Sequence, residues 1–135
     1  MIGSITHVTL LVDEIDRALS FYVDVLGFEK RADIANPNGF RYVTIAPPGA
    51  TGTEIWLLPA TTDQQHARVG NQTDDVTMIV STTDCRADHA RLDAAGVVFH
   101  GPPEPMPWGL ETIFEDLYGN RFALVEPPTP TTHNA

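Results

Sequence analysis

His7-Val8-Thr9-Leu10-Leu11-Val12 returns later in the chain as Asp75-Val76-Thr77-Met78-Ile79-Val80. Both runs are rich in apolar and β-branched residues and read as buried strands. His7 to Asp75 and Asp16 to Asp84 are each 68 positions apart, and Gly27 to Gly96 is 69. A nearly constant spacing with the same order of elements is the mark of an internal duplication.

Working outward from the first copy, residues 4–12 form the opening strand and Asp13 offers a helix cap. Ala18, Phe21, Tyr22, Val25 and Leu26 then make one apolar helical stripe. Gly27 stands where a left-handed stop is wanted. Strands follow at 28–34, 40–46 and 53–58, separated by Asn36-Pro37-Asn38-Gly39 and by the Pro47–Gly52 turn. The first half is therefore β-α-β-β-β. The second half repeats the order: a strand at 76–82, a helix capped by Asp84 and ended by Gly96, strands at 97–100, 110–115 and 121–126, and a Pro-rich loop at 101–108. Residues 59–74 read as a linker, with a helical turn near 63–69. The predicted class is α+β, two tandem βαβββ modules (4–58 and 75–127) in one domain over 1–135, with a loose tail at 128–135.

The chain has 135 residues, 42% of them apolar, enough for a real interior. Acidic residues outnumber basic ones 18 to 8, for a net charge of -10. That balance argues against nucleic acid and anionic membranes as partners. The single cysteine, Cys85, excludes an intrachain disulfide. The opening residues lack the basic and apolar segments of a signal peptide, and no apolar run is long enough to cross a bilayer. The expected location is the cytoplasm. Phosphate-loop, dinucleotide-binding, paired-Cys zinc and nucleophile-elbow motifs are absent.

Four segments carry a family resemblance: His7–Val12, Asp16-Arg17-Ala18, Phe21-Tyr22 with Leu26-Gly27-Phe28, and Asp116-Leu117-Tyr118-Gly119-Asn120-Arg121-Phe122. Over residues 4–127 the chain resembles the vicinal-oxygen-chelate superfamily, which includes glyoxalase I, bleomycin-resistance proteins and extradiol dioxygenases. Leu117 and Tyr118 replace the Pro-Asp usual in the last segment. The resemblance implies curved, mostly antiparallel half-barrel sheets around a metal, with ligands from the first and last strands of each module. By position these are His7, Glu54, Asp75 and Ala123.

His7 and Glu54 suit a divalent ion. Asp75 has a short arm, and Ala123 cannot ligate. Glu111, in a Gly-x-Glu-x-x-Phe run on the neighbouring strand, is the expected replacement, since adjacent strands lie about 4.8 Å apart. The expected metal set is His7, Glu54 and Glu111 holding Zn, Ni, Mn, Fe or Co, with Glu54 or Glu111 moving protons. That set implies a glyoxalase-like lyase or isomerase acting on a small oxygenated substrate. The alternative is a metal-free binding protein of the bleomycin-resistance type, whose acidic charge and aromatic residues suit a cationic aromatic drug; Trp56, Trp108, Phe40 and Tyr42 are the candidate pocket-lining rings. Both readings imply a homodimer that covers the sheet edges. His66, His89, His100 and His133 lack ligand spacing and read as surface or loop residues.

Overall fold

The computed structural model describes residues 1–129; His133 and the end of the expected tail lie outside the described residues. The chain divides into two compact units, Met1–Gln72 and Thr73 onward. Each holds an open four-stranded sheet with one parallel and two antiparallel pairings. Among the described residues no helix is long and apolar enough to cross a membrane.

The first unit contains β1 (His7–Val12), α1 (Ile15–Leu19), a π-helical continuation (Ser20–Val25), β2 (Glu29–Ala35), β3 (Arg41–Ala46), β4 (Glu54–Pro59) and α2 (Asp63–Arg68). The strand order is β1-β4-β3-β2, with β1 parallel to β4. Alternation along each strand sends Leu10, Val12, Val43, Ile45, Ile55 and Leu57 to one face, and all are buried. Each such side chain contributes about 1.5–3 kcal/mol of burial. Ala18, Tyr22 and Leu26 are the buried residues of the helix stripe, and α1 packs against β4. Their four-residue spacing suits a helix that widens from α to π winding.

Asp13 does not cap this helix. Glu14 holds the cap position without a side-chain bond, and Asp13 pairs with Arg17 instead. One turn further on, a salt bridge to an arginine competes successfully for the carboxylate.

The expected linker is partly built into this unit. Thr62 and Gln65 form a reciprocal capping box at the start of α2. Gln72 then reaches back to the open edge of β1. Its Oε1 accepts from the Leu11 amide at 2.6 Å and its Nε2 donates to the Thr9 carbonyl at 3.2 Å. A side-chain amide carries the same donor and acceptor as a peptide group, so it occupies the places a further strand would use.

The second unit contains β5 (Val76–Ser81), α3 (Cys85–Ala94), β6 (Glu104–Met106), β7 (Gly109–Glu115) and β8 (Arg121–Glu126), in the order β5-β8-β7-β6. Asp84 caps α3 as expected, its side chain accepting from the Ala87 amide at 3.0 Å. Phe114 stacks on Phe122 with ring centroids 5.2 Å apart, and Phe99 leans on Phe114. Asp116 organises the β7–β8 turn, accepting from the Tyr118 and Asn120 amides and from Asn120 Nδ2.

Two expectations are corrected here. Residues 97–100 are not a strand; Phe99 makes an isolated bridge to Phe114. Pro102 and Pro103 follow after Gly101 and have no N–H to extend a ladder. Conversely, the Pro-rich loop at 101–108 contains the short strand β6. β6 is an edge strand, the place where Pro105 is tolerated.

Candidate binding face

The other face of the first sheet is polar and aromatic. The β1–β4 register pairs His7 with Glu54, Thr9 with Trp56 and Leu11 with Leu58. The β3–β4 register sets Thr44 beside Trp56. Period-two alternation therefore gathers His7, Glu54, Trp56, Tyr42 and Thr44 on one side, opposite the buried aliphatic face.

The sequence-predicted pair His7 and Glu54 meets. His7 Nε2 lies 3.6 Å from Glu54 Oε1, with the two side chains 38% and 27% exposed. Each already has other partners. The Tyr42 hydroxyl lies 3.1 Å from His7 Nε2, and Thr6 Oγ1 lies 3.0 Å from His7 Nδ1. These contacts are satisfied together when Nδ1 carries the proton and Nε2 accepts from Tyr42. The fully buried Thr44 donates its hydroxyl to Glu54 Oε1 at 2.8 Å. Arg31 Nη1 stands 3.9 Å from Glu54 Oε2.

Aromatic rings surround this polar cluster. Trp56 lies between Phe40 and Tyr42, at centroid distances of 6.5 and 6.4 Å. Tyr42 in turn meets the His7 ring edge-on at 6.3 Å. Phe40 is 42% exposed. The indole Nε1 of Trp56 is buried and has no hydrogen-bond partner.

The remaining sequence candidates lie in the second unit. Glu111 sits on β7 beside β8, where its register partner is Val125, while Ala123 pairs with Ile113. Glu111 and Ala123 therefore share a face, one same-face step apart. Glu111 Oε1 accepts from the Trp108 indole at 3.0 Å. A groove of about 150 Å³ is lined by His100, Glu104, Met106 and Glu111, among others. The buried Ala123 has no ligating atom. Asp75 folds its carboxylate onto its neighbour, accepting from the Val76 amide at 2.7 Å.

The fit of a divalent ion to these residues can be tested unit by unit. In the first unit His7 and Glu54 supply two donors, fewer than the three or four protein ligands of most transition-metal sites. The Arg31 guanidinium beside Glu54 already supplies positive charge there. Within neither unit do three His, Cys, Asp or Glu side chains among the described residues gather to hold a metal. Each unit taken by itself does not fit such an ion.

Three participants escaped the sequence reading. Thr44 was legible, since alternation from Tyr42 places it on the site face. Arg31 was not, because an irregularity in register between Lys30 and Ala32 breaks the alternation in β2. His100 also joins a site, lining the second-unit groove and lying 2.7 Å from Glu115 Oε2.

Comparison with known proteins adds a family and relatives. The family model described as Glyoxalase/Bleomycin resistance protein/Dioxygenase superfamily matches residues 4–124. A protein of Shewanella frigidimarina (strain NCIMB 400) is 35% identical, covering 91% of this chain and 93% of that one. A superfamily member from Sphaerobacter thermophilus DSM 20745 is 36% identical, with a TM-score of 0.72 and coverage of 93% and 98%. TnmS3, an antibiotic binding protein from Streptomyces sp. CB03234, is 31% identical, with a TM-score of 0.77 and coverage of 93% and 97%.

Proposed function

The chain belongs to the glyoxalase/bleomycin resistance protein/dioxygenase superfamily, and from that premise we propose that it binds a small planar aromatic molecule without a metal, as a sequestration protein. The observation that carries this reading is the aromatic strip Phe40–Trp56–Tyr42 beside His7 and Glu54. The likeness to an antibiotic binding protein supports it.

The chemistry of such a site is simple. A flat ligand lying on Trp56 and Tyr42 gains about 0.5–1.5 kcal/mol per ring pair beyond the burial of its own surface. Thr44 and Arg31 hold the Glu54 carboxylate in place, so the polar part of the face is preorganised. Tyr42 is tied to His7 and cannot swing freely. The net charge of -10 disfavours polyanionic ligands.

Calorimetric titration of the chelator-treated protein with a panel of planar aromatic compounds tests the proposal. Micromolar binding is expected. Trp56→Ala should weaken it by at least about ten-fold, the loss of a stacking anchor. His7→Ala should cost about three-fold or less, as for one exposed polar contact. A panel that binds nowhere refutes it.

A second reading rests on the His7–Glu54 approach of 3.6 Å. In it His7, Glu54 and Glu111 hold a divalent ion (Zn, Ni, Mn, Fe or Co), Glu54 and Glu111 move protons, and the protein is a glyoxalase-type lyase or isomerase. Elemental analysis of the native protein separates the two: stoichiometric metal lost in His7→Ala supports the second. Under either reading the protein is proposed to work as a single-domain cytoplasmic homodimer, since open sheets leave edges that pairing would cover.

A further inference from the structure

Trp56 Nε1–H is a donor without a partner on the very face read above as the binding site. Folded proteins rarely leave such a group unmet, because the hydrogen bonds it made to water are not replaced. The other indole of the chain illustrates the rule, since Trp108 Nε1 donates to Glu111 at 3.0 Å. The neighbours that crowd Trp56 are rings, Phe40 and Tyr42, and Phe40 is 42% exposed. Phe40, exposed and not the ring tied to His7, is the one that would shift to let a ligand reach the N–H.

We propose that the Trp56 indole N–H is the specificity-determining donor of this face, selecting aromatic ligands that carry a ring-plane carbonyl oxygen. The assignment rests on the binding reading above and adds to it the class of ligand. Stacking on the rings tolerates any flat apolar molecule. Hydrogen bonding to the indole does not, because a ligand lacking an acceptor leaves that donor unmet while one bearing an acceptor satisfies it. A carbonyl suits the geometry best. It accepts in its own plane, so a ring stacked on Tyr42, whose plane is tilted 38° from that of Trp56, can turn its oxygen to the indole edge.

The experiment uses a matched pair of probes, fluorenone and fluorene, which differ in a carbonyl against a methylene. Wild-type protein should bind fluorenone about ten-fold more tightly than fluorene, the worth of one well-placed hydrogen bond. Trp56→Phe keeps a ring and removes the donor, so it should bind both probes with similar affinity, near that of fluorene. In proton NMR spectra of Trp108→Phe protein, where Trp56 supplies the single indole signal, fluorenone should move the N–H resonance downfield and fluorene should not. If both probes bind wild type equally, or if the preference for fluorenone survives in Trp56→Phe, the inference is overturned while the aromatic-binding reading stands. If neither probe binds wild type while other planar aromatics of the panel do, the inference falls and the binding reading stands; if nothing in the panel binds, both fall.

Discussion

Gly109→Ala should destabilise the second unit far more than an ordinary glycine replacement. Gly109 opens β7 at φ +136, a conformation that L-residues rarely adopt. A Cβ built there would lie 2.2 Å from the Glu126 carbonyl oxygen and 3.1 Å from the Pro127 Cα. Those atoms are backbone and cannot swing aside, so β7 and β8 must separate by about an ångström. Strain of about 1–3 kcal/mol from the dihedral adds to about 1–3 kcal/mol of overpacking. The expected loss is about 2–6 kcal/mol, or roughly 7–21 °C in Tm for a chain of this size. Gly27→Ala is the control. Its φ is +84 and nothing lies within 4 Å of a Cβ there, so it should lose about 1–2 kcal/mol. Both variants gain the same unfolded-state restriction, which cancels in the comparison. Urea and thermal melts followed by circular dichroism measure the difference. Because Gly109 adjoins Trp108, its variant should also shift the indole emission. A Gly109→Ala protein no less stable than Gly27→Ala would refute the steric argument.

Other outcomes follow from named contacts. Hydrogen bonds from Arg41 and Lys30 hold the Asp33 carboxyl well below the usual carboxylate range. A depressed carboxylate stabilises the fold above its unfolded pKa of about 3.9. That contribution should disappear as pH falls below about 4, and Asp33→Asn should flatten the acid limb of the stability profile. Gln72→Ala should speed hydrogen exchange at the Leu11 amide and cost about 1–2 kcal/mol for two lost bonds; unchanged protection at Leu11 would contradict the edge contact. Tyr22→Ala removes a fully buried ring and should cost about 3–5 kcal/mol in denaturant melts. Burial pushes the Cys85 thiol up, with the nearby Glu126 carboxylate adding to the effect, so iodoacetamide should leave it unmodified until the protein unfolds.

The architecture was written in local signals. The repeat of His7–Val12 as Asp75–Val80, the Asp84 cap, and the alternating runs at Arg41–Ala46 and Glu54–Pro59 each act over a few residues and survive translation into coordinates. Errors fell where another contact or a neighbouring proline competed with the signal. Asp13 left the cap for Arg17, residues 97–100 gave way before two prolines, and Glu104–Met106 became a strand because β7 offered it an edge.

The candidate site divides in the same way. Periodicity alone placed Glu54 and Trp56 in step, because side chains two apart on a strand face the same side, while the family resemblance was what set His7 with Glu54. Which groups meet them was decided by strand register and by the β2 irregularity, and these brought Tyr42 to His7 and Thr44 and Arg31 to Glu54. The unmet indole N–H of Trp56 could not be read from the chain at all. A missing hydrogen bond depends on every neighbour in three dimensions, while a strand depends mainly on its own few residues and the ladder beside it.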